Sequence, residues 1–165
     1  MSYGFQSAIV ARIVDHALAG DVDLDFYSPT QFGVAVPTTG ATDSFVIDAD
    51  AAYVCYMLNG SVFQPAGTNI NAPDLLVDIK NQGSGRYFSF KPMHWVTIIG
   101  NAQNPSQLPE PKILAPASNV QTILTNNSGG QYARADLTWV GIKLFMRGNF
   151  TLADLSLPVD FNYAR

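Results

Sequence analysis

The chain has 165 residues, of which 47% are apolar, 12% aromatic and only 13% charged, with a net charge of −4. Globular chains carry about 25% charged residues, so core material is ample and surface ions are scarce. The acidic balance and five scattered arginines exclude a basic field for phosphate backbones, and no run reaches the roughly 18 apolar residues of a membrane span, so neither nucleic acid nor membrane is expected as a partner.

Residues 7–18 place Ile9, Ile13 and Ala17 at helical spacing with Val10, Val14 and Leu18 beside them, and Gly20 stands where a helix would close. A short N-terminal helix is predicted there, although Ile and Val suit an extended segment equally well. From Val22 onward the apolar period becomes two. Strands are predicted over 22–27, 31–36, 44–47, 52–58, 74–79, 87–90, 95–99, 113–114, 120–125 and 135–145. Turn residues punctuate them, among them Ser28-Pro29, Asn59-Gly60 and the stretch 126–130.

Short strands separated by Gly, Pro and Asn, with no helix-length crossovers between them, define an all-β chain of the antiparallel sandwich or barrel kind. One domain spanning 1–165 is expected, with its core over about 22–145. Residues 52–58 are apolar on both faces, Tyr53, Cys55 and Met57 on one and Val54, Tyr56 and Leu58 on the other. Such a strand is covered on both sides. The second cover is then another subunit or the N-terminal segment. Residues 100–112 hold three prolines and are expected to run extended over the surface.

The chemistry-bearing residues are few. His16 and His94 are too far apart in sequence to form a metal-binding pair, and Cys55 is the only cysteine, set in an apolar run that reads as a buried, inert thiol. Nucleophile elbows and phosphate loops are missing, so catalytic, cofactor-binding and metal-ligating residues are all expected to be none. Asp21, Asp23 and Asp25 alternate on one strand face, with Asp43, Asp48 and Asp50 further on. The calcium-loop pattern is absent, and a solvated or interface-facing acidic edge is the favoured reading. Trp95, Trp139 and seven tyrosines offer material for a sugar-stacking platform, yet their place inside alternating strands favours core or subunit contacts. The N-terminus lacks the basic and apolar regions of a signal peptide, which points to synthesis and assembly in a cytoplasm.

From Phe32 onward the sequence resembles the small jelly-roll virion proteins of tailed bacteriophages, of the head-decoration, minor-capsid or neck and collar types. The resemblance is carried by residues 32–42 (FGVAVPTTGAT), 45–53 (FVIDADAAY), 76–80 (LVDIK), 85–88 (GRYF), 108–111 (LPEP), 113–118 (ILAPAS), 120–128 (VQTILTNNS) and 137–145 (LTWVGIKLF). It covers about three quarters of the chain and implies an architectural role in a virion assembled in the host cytoplasm. Other virion proteins and further copies of the chain would be its partners, with no cofactor. The chain departs from the family in its apolar N-terminal segment and in residues 150–165.

These two terminal segments are left over once a sandwich is assigned, and both read as docking arms. In the tail, Leu155, Leu157 and Val159 alternate with polar residues, as an extended arm that adds to a neighbouring sheet edge would. The expected interface residues are therefore Phe150, Leu152, Leu155, Leu157, Val159, Phe161 and Tyr163, together with Ile9 and Ile13. A carbohydrate-binding sandwich within a receptor-binding apparatus is the alternative reading.

Overall fold

A computed structural model describes residues 3–101 and 103–164. In chain order its elements are α1 (Tyr3–Ala19), β1 (Val22–Tyr27), β2 (Thr30–Val36), β3 (Ala41–Val46), β4 (Ala52–Phe63), β5 (Leu75–Asn81), β6 (Met93–His94), α2 (Trp95–Ile98), β7 (Ser106–Leu114), β8 (Asn119–Asn126) and β9 (Tyr132–Met146), followed by a 3-10 turn at Leu152–Leu155. They form an all-β sandwich of two antiparallel sheets. In the larger sheet β9 lies between β4 on one side and β1 and β2 on the other, and β4 continues to β7; the smaller sheet runs β3, β8, β5, β6. β1 and β2 follow one edge of β9 in succession, Val22 opposite Met146 and Val36 opposite Tyr132, with Ser28-Pro29 between them. Proline there removes a ladder donor and breaks the strand.

The apolar core lies between the sheets and contains Tyr53, Leu58, Val77, Ile79, Leu124, Leu137 and Trp139, all almost fully buried. One irregularity in β4 sets which residues enter it. Cys55 pairs with Gly141 and Met57 with Val140, so Tyr56 is an extra residue in the ladder. A bulge of one residue reverses the alternation. Before it Tyr53 and Cys55 face the core, and after it Leu58 and Val62 do. The Cys55 thiol spans the bulge, donating to the Met57 carbonyl at 3.5 Å, and burial pushes its pKa up to about 12.

Four expectations are corrected. The Asn59-Gly60 turn is instead the middle of β4. A Cβ on Gly60 would come within 2.5 Å of the Trp95 ring and 2.6 Å of the Asp136 carbonyl, so the glycine serves close packing and not a reversal. The strand at 95–99 is the helical turn α2. Trp95, Ile98 and Ile99 are buried while Val96 and Thr97 are exposed, a spacing only a helix turns to one side. Residues 87–90 make single bridges and no strand. Finally, the proline-rich stretch is largely paired: β7 runs from Ser106 and contacts β4 at both ends. The ladder passes from Cys55–Lys112 to Met57–Gln107, and Pro109 and Pro111 fall in the unpaired interval. Prolines are tolerated there because no ladder donor is needed.

The sheets are joined through Gln31 on β2, a buried amide in the core. Its Nε2 donates to the Asp43 and Val120 carbonyls at 3.1 and 3.3 Å, and its Oε1 accepts from Thr122 Oγ1 at 2.7 Å and Trp139 Nε1 at 2.9 Å. The amide of one sheet thus reaches both β3 and β8 of the other, and its donors and acceptor sites are filled. Replacing it with leucine leaves the Trp139 N–H and the Thr122 hydroxyl buried without this acceptor. Gln31→Leu is expected to lower stability by about 3 kcal/mol; in urea melts the midpoint falls while the slope is unchanged.

Candidate functional site

The outer face of the larger sheet carries a second apolar cluster. Ala52 and Val54 of β4, Leu144 of β9 and Ile113 of β7 are buried there beneath Ile9 and Ile13 of α1 and Leu155 of the tail. Phe150, Leu152 and Leu157 are half-buried around them. The cover that the two-sided β4 demands is therefore the N-terminal helix, joined by the C-terminal segment.

Polar contacts fasten the two covering pieces to each other. Arg12 Nη1 donates to the carbonyls of Leu155 and Ser156 at 3.0 and 3.3 Å, and the His16 ring lies 4.6 Å from that of Phe150. His16 Nδ1 lies 2.9 Å from Asp21 Oδ2, closing the helix end onto β1. Thr151 caps the 3-10 turn, its amide and hydroxyl both donating to Asp154 Oδ2 at 2.7 Å, and these bonds hold the Asp154 carboxyl below its ordinary pKa.

Beyond the turn the tail continues around the edge of β7. The Asp160 amide donates to the Ile113 carbonyl at 2.6 Å, Phe161 enters the inner core against Phe88, and Tyr163 pairs with Tyr87 through reciprocal backbone bonds of 2.7 and 3.2 Å. Asp160 makes this passage with a left-handed φ of 83°, held by its carboxylate accepting from Asn81 Nδ2 at 3.0 Å. The extended arm expected over 150–165 is thus a folded strap on its own sandwich. Ile9, Ile13, Leu155 and Phe161 are buried within the chain, so a partner reaches them only if the strap and helix lift away; Val159 and Tyr163 remain 38% and 40% exposed. Alternation alone gave no sign of this, because the same residues suit an edge strand or a wrapping segment.

The surface that stays apolar and open lies beside the helix. Val10, Val14, Leu24 and Phe26 are exposed, Phe26 at 64%, and the first three border a groove of about 310 Å³ between α1 and the sheet, floored by Val54 and Ile142. The sequence reading missed Leu24 and Phe26, whose signal was the apolar face opposite the Asp21, Asp23 and Asp25 row.

Four of the six aspartates have partners of their own. Asp21 meets His16, Asp23 pairs with Arg147, Asp43 accepts from the Phe32 and Ser44 amides, and Asp48 pairs with Lys143, whose ammonium also lies over the Tyr27 ring. Among the described residues no three His, Cys, Asp or Glu side chains gather. His94 is exposed at the end of β6, while Trp95 and Trp139 are core residues.

A cleft of about 320 Å³ lies where the edges of β6 and β7 face each other, bordered by Phe88, Met93, Leu108, Glu110, Lys112 and Tyr163. Lys112 is buried, opposite core-facing Cys55, and its ammonium donates to Glu110 Oε2 at 3.3 Å. No protein family model matches the sequence, and no curated protein matches it.

The strap's part in the fold is directly measurable. Leu155→Ala opens a cavity in the outer cluster and is expected to cost about 2–4 kcal/mol in chemical denaturation. A detachable arm would tolerate the same change with stability unaltered.

Proposed function

We propose that this chain is a non-catalytic structural protein of a tailed-bacteriophage virion, built on jelly-roll topology and bound to other virion proteins, copies of itself among them. Strand pairing supports the jelly-roll reading. β2 pairs with β9, β3 with β8, β4 with β7 and β5 with β6. That nesting is what one long antiparallel hairpin of eight strands yields when it rolls up into two facing sheets.

The observation that carries the assembly role is the exposed apolar surface beside α1, where Val10, Val14 and Leu24 border the groove and Phe26 stands two residues beyond Leu24 on β1. A face of this kind on a chain with few charges is characteristic of a surface buried in an assembly. The contact proposed is a neighbouring copy of the chain, seated on the groove and on the exposed Phe26. The strap and helix act beneath it as the rigid support. Capsid surface and neck or collar are both compatible with such a subunit.

Purified protein is expected to sediment as an oligomer of the 17.8 kDa chain, and the double variant Val14→Asp, Phe26→Asp as a folded monomer that is left out of phage particles. A monomeric wild type, or a variant that assembles and enters particles normally, contradicts the proposal.

A further inference from the structure

We infer that the cleft between β6 and β7 is a binding site for a neutral hexose, a function separate from assembly. Its starting point is Lys112. The residue occupies a position whose neighbours along the strand, Leu108 and Leu114, are core residues, and yet it is a cation with little solvent. Burying an ammonium is costly unless it is paired and hydrogen-bonded. Among the described residues Glu110 accepts one bond from an ammonium with three donors. Lys112 and Glu110 both line a cleft with room for a single sugar ring, within the size range of ligand pockets.

The lining matches a sugar's two kinds of surface. Leu108, Met93 and Ile98 are apolar, and Tyr163 stands at 40% exposure in the wall, with the Phe90 ring, 64% exposed, 6.2 Å away at 63°. Aromatic faces of this kind take the C–H face of a pyranose, and a Lys–Glu pair supplies both donors and an acceptor to its hydroxyl rim.

Two other occupants fit less well. An anion would gain from Lys112 and lose to Glu110, because the pair has no net charge. An added β-strand would need ladder partners along β7, but Pro109 and Pro111 lack amide protons there, and the Ile113 carbonyl is already taken by Asp160.

The test uses the full chain and four probes, glucose, galactose, mannose and N-acetylglucosamine, followed by NMR chemical shifts and titration calorimetry. The inference expects saturable binding of at least one with Kd of about 1 mM, with shifts centred on residues 88–93, 106–112 and 162–163. Tyr163→Ala and Glu110→Gln, checked for folding by circular dichroism, each weaken it about tenfold, and Phe26→Ser on the opposite face leaves it unchanged. No binding by any probe, or shifts confined to other residues, overturns the inference and leaves the assembly role standing. Binding that survives both cleft substitutions in folded protein overturns it equally.

Discussion

The structure turns on one constraint: the first half of β4 is apolar on both faces, and Ile142 and Leu144 of its partner β9 extend the outer one. The inner faces meet the opposing sheet. The outer faces at the Ala52, Val54 and Leu144 end would stand in water if the sandwich were all there was. Burying a side chain such as Leu144 contributes on the order of 2 kcal/mol, so several such groups left bare would consume much of a domain's net stability. The chain supplies the cover itself, with α1 from one terminus and the strap from the other. That is why Arg12 and His16 on the helix reach Leu155, Ser156 and Phe150 on the tail: two ends remote in sequence form one layer.

The same constraint determines how much of the fold was legible in the sequence. Where alternation was regular and turns were polar, strands could be read, and β1 was predicted over the residues it occupies. The need for a second cover on β4 was also visible, with the N-terminal segment as one candidate. What could not be read was the phase change at Tyr56, because a bulge depends on how two partners pair and leaves no mark on one strand's composition. Leu58 was therefore assigned to the wrong face. Gly60 looked like a turn because the Trp95 ring that excludes a side chain there arrives from 35 positions later in the chain. Trp95, Ile98 and Ile99 carried helical spacing in plain view, yet Val, Thr and Ile favour strands, and propensity outweighed period in the reading.

Of the candidate sites, the terminal residues were found by elimination, as what remained after a sandwich had been assigned. Their apolar character was a sound signal of contact. Its target was the chain itself, the outer face for Ile9, Ile13 and Leu155 and the inner core for Phe161, and sequence has no term that separates an intramolecular cover from an intermolecular one. The Lys112–Glu110 pair lay hidden for a related reason. It sits in a proline-rich stretch that reads as surface, and only the pairing of β7 with β4 turns Lys112 inward. With Ile9, Ile13, Leu155 and Phe161 consumed in this way, the exposed apolar residues beside the helix, Val10, Val14, Leu24 and Phe26, become the candidate surface. The assembly proposal rests on that face, and the sugar inference rests on the opposite edge, so the two stand independently.

Native-state hydrogen exchange tests the central claim most directly, because it asks whether the cover opens by itself or with the sheet beneath it. The account predicts that amides in the second half of α1 and at residues 155–161 are protected, with opening free energies that approach those of β4 and β9. Exchange of both segments at unfolded-chain rates, while β4 and β9 stay fully protected, would show that the sandwich stands without its cover and would contradict the account.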